Sequence, residues 1–167
     1  MNGQLRMAGM LKNLKSGGIN VRDYWDLIGE KKVICDAYNK YMDDYNLDGI
    51  LMPPVALPAP PHGMIGDLLP IISYCTLINL LHWPSGVVPI TTVQQHESHY
   101  DKEDLPLQQQ DRYASLAAKA MEGSTGLPVG VQIVTRAWKD EQCLGIMKDL
   151  EEVIQFNHVE KGNVPKL

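Results

Sequence analysis

The sequence predicts an α/β fold, a sheet with helices on its faces, and three observations carry that prediction. A run dense in β-branched side chains, Val87, Val88, Ile90, Thr91, Thr92 and Val93, fits a pleated and mostly buried surface. The uncharged segment 68–81 before it has apolar residues that suit a buried helix, with a tight turn at Pro84-Ser85-Gly86 between the two. A second β-rich run, Gly126 to Val134, lies downstream. Strands apolar on both faces need cover on both sides, the habit of sheets in layered α/β proteins. Pro89 cannot donate to a ladder, so the strand is expected to begin after it, or to place it at an edge or a bulge.

Composition bounds the answer. With 167 residues, 44% hydrophobic and 21% charged, the chain has the balance of a soluble globular protein. One domain of that size buries roughly 70% of its unfolded surface. A net charge of −5 argues against nucleic acid or an anionic membrane as a bulk electrostatic partner. Cys35, Cys75 and Cys143 lie far apart without Cys-x-x-Cys spacing, which fits reduced thiols better than disulfides or a zinc site. Met1 to Arg6 leads into no apolar core of a secretory leader. Leu68 to Trp83 is shorter than the ~20 residues of a membrane span and carries Ser73, Tyr74, Thr76 and Asn79. An intracellular protein is expected, cytoplasmic or on a cytosol-facing endomembrane surface.

Taken in order, residues 1–18 read as a short surface helix or a frayed remnant, with Leu5, Met7, Met10, Leu11 and Leu14 at helical spacing before Gly17-Gly18. From Val21 to Tyr45 the periodicity predicts the clearest helix. Tyr24, Leu27, Ile28, Ile34, Cys35, Tyr38, Tyr41, Met42 and Tyr45 form one stripe expected to pack inward. Gly49 to Met52 reads as a short buried strand, ended by Pro53-Pro54, and the prolines on to Pro61 demand an extended loop. After the central strand, 94–112 reads as a mobile polar loop and Tyr113 to Glu122 as a short helix. The glycines of the strand Gly126–Val134 are expected to let another backbone approach closely. Glu141 to Phe156 reads as the last helix, with Leu144, Met147, Leu150, Val153 and Ile154 inward, and 157–167 as a tail.

No active site assembles from pattern alone. His62, His82, His96, His99 and His158 lack metal-ligand spacing, and His82 beside Trp83 reads as a buried, hydrogen-bonded histidine. There is no Gly-x-Ser-x-Gly and no phosphate-cradling glycine loop.

Four segments in order take the reading further. They are Asp48-Gly49-Ile50-Leu51-Met52-Pro53-Pro54, Asn79 through Trp83-Pro84-Ser85-Gly86-Val87-Val88-Pro89, Gly126-Leu127-Pro128-Val129-Gly130-Val131-Gln132, and the closing helix from Glu141. Together they resemble the C-terminal third of the amidase signature family. Ser73-Tyr74 and Val87-Val88-Pro89-Ile90-Thr91-Thr92-Val93 are most like its animal fatty acid amide hydrolase branch. The resemblance covers nearly the whole chain, 1–167, as a single partial amidase domain. It implies a mixed β-sheet covered by helices and incomplete as a domain.

The resemblance also implies a chemistry. Family members cleave amides with a lysine, a cis-serine and a nucleophilic serine, and backbone N–H groups hold the oxyanion. Those residues lie upstream of the part represented here. Lys15-Ser16-Gly17-Gly18 is too short and misplaced, so no catalytic residue is carried over. What is carried over is substrate wall. Leu69, Ile72 and Thr76 match positions along an acyl channel, Tyr113 an aromatic bordering it, and Met10 and Leu14 positions at a membrane-side entrance. Ile72 and Thr76 read equally well as helix core. The full enzyme would hydrolyse N-acyl ethanolamines or primary fatty amides to fatty acid and amine without metal or cofactor, and this segment alone would be inactive. Expected partners are a fatty amide, a second copy in a homodimer and peripheral membrane, with no nucleic acid. Alternatives are another amidase signature enzyme, acting on small amides or on aminoacyl-tRNA glutamate, and a non-catalytic protein that binds lipid or pairs with an intact amidase. Such a segment is expected to expose strand edges and apolar faces around Val87–Val93 and Val129–Val134.

Overall fold

The computed structural model describes residues 19–99, 106 and 111–156. Met10 and Leu14, the tail 157–167 and most of the polar loop lie outside the described residues.

Helix α1 spans Val21–Asp44. It starts where it does because the Asn20 side chain accepts from the Asp23 N–H at 2.9 Å and donates back to the Asp23 carboxylate at 3.0 Å. That satisfies a first-turn donor with no intrahelical partner. Its second half settles the chain's main core. Met42 is buried with Ile78, Leu81, Trp83 and Val134, and Cys35 and Tyr38 pack against them. Tyr38 meets the Trp83 ring edge-on, centroids 6.3 Å apart. The rest of the expected inward stripe is not covered: Tyr24, Leu27, Ile28, Ile34, Tyr41 and Tyr45 are exposed. The reason is length. Twenty-four residues reach about 36 Å, and the helix they rest on is much shorter.

Strand β1, Ile50–Met52, forms one edge of a three-stranded sheet. Only one of its faces is covered, and Leu51 points outward, so it is not the fully buried strand expected. The proline-rich loop follows. A 3₁₀ turn, Leu69–Ile72, leads into α2, Ser73–Leu81. Leu68, Ile71, Ile78 and Leu81 are the buried residues of this stretch. His82 then takes a left-handed conformation (φ 55°), which ends the helix two residues before Pro84, and Ser85 and Gly86 of the expected turn already belong to the next strand. His82 is thereby turned outward. Its exposed ring sits 2.8 Å from Lys31 Nζ, so it is hydrogen-bonded but not buried.

Strand β2, Ser85–Thr92, occupies the other edge. Pro89 lies within it, at an irregularity of register between Pro89 and Thr91, so the edge and the bulge both accommodate it. Val88 is buried while Val87 faces out, so β2 is covered on one side rather than both. Helix α3, Arg112–Met121, is capped by Asp111, whose carboxylate accepts from Ala114 N–H at 2.9 Å. Strand β3, Pro128–Val134, lies in the middle and pairs antiparallel with both edges. Ile133 and Val134 have no exposed surface and point to opposite sides, as a period of two requires. The expected exposure of Val129–Val134 therefore does not hold at the C-terminal end of this strand. At Gly130 another backbone does approach closely. A Cβ there would stand 2.6 Å from Val87 Cγ1 and 3.1 Å from the Val88 carbonyl oxygen.

Helix α4, Asp140–Ile154, closes the second face. Its inward row is Cys143, Ile146, Met147 and Leu150, packed on Val88 and Ile133. Met147 and Leu150 are inward as expected, whereas Leu144 and Val153 point to solvent, so the inward row lies further towards Cys143 and Ile146 than the sequence reading has it. Cys143, read only as a reduced thiol, is the residue that fixes the phase. The result is three layers: α1 and α2 on one face, the antiparallel sheet, and α4 on the other. No helix among the described residues is long and apolar enough to cross a membrane.

Candidate functional site

The face of the α2 stretch that does not enter the core lines a pocket. Leu69, Ser73 and Thr76 stand at i, i+4 and i+7, so they share one side, opposite Ile71 and Ile78. The turn before them contributes Gly66 and Asp67, and the first turn of α3 brings Arg112 and Tyr113 across from about 40 residues away in sequence. The pocket is a broad, open depression of about 550 Å³, within the size range of small-molecule sites.

Two contacts hold this arrangement. Arg112 Nη2 lies 3.1 Å from Asp67 Oδ1, tying α3 to the loop ahead of α2. The Arg112 side chain is 71% exposed, so this pair positions the wall more than it stabilises the fold. Beneath it, Leu68, Ile71 and Ala120 form a small core with Leu57, Met64 and Leu116 against them. That core sets the spacing between α2 and α3, and hence the width of the pocket.

The sequence-derived residues divide cleanly. Leu69, Thr76 and Tyr113 line this one pocket. Thr76 and Ile72 are both at the surface, so neither is helix core. Ile72 does not line the pocket with its side chain. Its carbonyl accepts from Thr76 Oγ1 at 3.3 Å, so its link to the pocket is through Thr76. Met10 and Leu14 lie outside the described residues. Sequence reasoning missed Asp67, Ser73 and Arg112. The i, i+4, i+7 spacing of Leu69, Ser73 and Thr76 was the available signal for Ser73; nothing in the sequence joins Asp67 to Arg112.

The pocket is chemically a wall rather than a reaction centre. Leu69 and Pro70 offer apolar surface, Tyr113 a ring, and Ser73 and Thr76 hydroxyls. No histidine or lysine lines it among the described residues, so neither hydroxyl has a base beside it. Elsewhere, burial pushes the Cys143 thiol up, and its sulfur rests 3.7 Å from the Ile133 carbonyl oxygen, the setting of an inert thiol. Lys32 is raised by its hydrogen bond to Asp36 on the exposed side of α1. No group of three His, Cys, Asp or Glu among the described residues is arranged to hold a metal ion.

Comparison with known proteins supplies the context. The profile of the Amidase family matches residues 5–144. Fatty-acid amide hydrolase 1 of Sus scrofa is 32% identical over 149 residues, covering 89% of this chain and 25% of that protein. Fatty acid amide hydrolase 1 of Caenorhabditis elegans is 34% identical over 106 residues, 64% of this chain and 18% of that protein. The acetamidase of Aspergillus oryzae is 29% identical over 143 residues, 82% of this chain and 25% of its own length. A solved fatty acid amide hydrolase shares the fold, with a TM-score of 0.69 at 21% identity over 84% of this chain and 24% of that one. The chain thus spans about a quarter or less of the length of the relatives it matches.

Proposed function

The chain belongs to the amidase family, and from that premise we propose that it supplies acyl-channel wall and sheet core to a serine amidase like the fatty acid amide hydrolases. The reaction is hydrolysis of an N-acyl ethanolamine or a primary fatty amide to fatty acid and amine. The lysine and the two serines of that chemistry come from a region outside these 167 residues, and the segment by itself is inactive.

One observation carries this reading: Leu69, Thr76 and Tyr113, three positions matched to an acyl channel by sequence resemblance, line the same pocket although two separate helical segments supply them. An apolar wall favours a long chain because each methylene it buries contributes about 0.8 kcal/mol. Tyr113 adds a flat face against which a chain can lie, and the Asp67–Arg112 pair marks the polar flank. A second reading, an amidase for small amides, draws support from the likeness to the acetamidase and from that same polar flank.

The two are separated by a chimaera in which this chain replaces the matching quarter of the pig fatty-acid amide hydrolase. We expect the chimaera to hydrolyse a long-chain primary fatty amide in preference to acetamide, and the chain alone to hydrolyse neither. Preference for acetamide would install the second reading, and turnover by the chain alone would remove the first.

A further inference from the structure

We propose that Ser73 makes the pocket wall selective for acyl chains that carry a neutral oxygen, a hydroxyl or a keto group, partway along their length. The proposal deepens the acyl-channel reading and rests on it.

The row along α2 is not uniformly apolar. Leu69 and Thr76 stand at its two ends and Ser73 between them, so a chain laid from one end to the other passes over the Ser73 hydroxyl. The two hydroxyls of the row differ in what they still offer. Thr76 donates its proton to the Ile72 carbonyl at 3.3 Å. No group among the described residues bonds the Ser73 hydroxyl, which is exposed and meets water instead. A plain alkyl chain lying over Ser73 displaces that water and supplies no hydrogen bond in return, which costs free energy. A chain with an oxygen at that point restores the bond. Sites that hydrogen-bond a substrate oxygen discriminate against the analogue lacking it, whereas apolar walls discriminate poorly.

The flank of the pocket selects the kind of oxygen. Asp67 and Arg112 line it together and pair at 3.1 Å, so the flank carries both charges and no net one. A carboxylate in the chain would meet Asp67 as well as Arg112, and an ammonium group would meet Arg112 as well as Asp67. A hydroxyl or keto oxygen meets neither repulsion. Leu69, Pro70 and Tyr113 take the hydrocarbon along the rest of the wall.

The test uses the chimaera with the pig enzyme and a series of stearamides, each hydroxylated at one carbon, with plain stearamide as the reference. One stretch of the chain is expected to give a kcat/KM about threefold or more above the reference, the scale of one net hydrogen bond, while hydroxyls elsewhere fall below it. Ser73→Ala should abolish that maximum. Each variant is compared with itself on two substrates, so a smaller folded fraction cancels from the ratio. Where turnover is too slow to compare, equilibrium binding of the same amides to the chimaera decides in the same way. Long-chain amides taken with no favoured hydroxyl position, or with a maximum that survives Ser73→Ala, overturn the proposal and leave the acyl-channel reading standing. Acetamide preferred over every stearamide removes both.

Discussion

Gly130 has no space for a side chain. Its missing Cβ is what lets β3 lie against Val87 and Val88, and a strand of β-branched neighbours gives little room to yield. Gly130→Ala should therefore cost about 1–3 kcal/mol, read as a lower denaturant midpoint with an unchanged slope. Cys143 gives a second residue-level expectation. Burial raises its thiol, so the fold favours the neutral form. Stability from that preference is fully present below the ordinary thiol range and is lost as pH rises through the folded-state value. The stability gap between the parent and Cys143→Ala should narrow as pH climbs through that range; a constant gap would contradict the assignment. Residue identity was the least legible layer in the sequence. The His82 hydrogen bond was expected but not its exposure, because a histidine at a left-handed cap looks the same in sequence as one in a core.

Element type was legible, and element facing only in part. Both long helices and both β-rich runs stand where periodicity puts them, because propensity and pattern agree there. Facing depends on what lies opposite, and that is tertiary information. In α4 the sequence offers Leu144, Met147, Leu150, Val153 and Ile154 as core; Met147 and Leu150 do pack inward, but Leu144 and Val153 are exposed and Cys143 and Ile146 take part instead. Leu144→Lys should change stability by less than about 0.5 kcal/mol. Met147→Ala, which empties the contact with Gly86 and Val88, should cost about 2 kcal/mol. Equilibrium unfolding of the two variants checks the facing: Met147 is inward on either reading, and a Leu144 substitution as costly as that of Met147 would restore Leu144 to the core. The α1 stripe held at Cys35, Tyr38 and Met42 and not at Tyr24, Leu27 and Ile28, for a related reason: apolar periodicity tells which face seeks a partner, not how far along the helix a partner lies.

At the scale of the whole molecule, the described residues form three layers, with β1 and β2 at the edges of the sheet and an exposed start to α1. The candidate site was legible only by resemblance. Leu69 and Thr76 share a helical face that a wheel can find, but Tyr113 joins them through the packing of Leu68, Ile71 and Ala120, which no local pattern encodes. The most direct test of the central claim is the chain-length profile of fatty amide hydrolysis by the chimaera, with and without Thr76→Trp. Filling the pocket beside Leu69 and Tyr113 should depress turnover of long-chain amides while sparing short ones, shifting the optimum to shorter chains. An identical profile for parent and variant would mean that the acyl chain does not run along this wall.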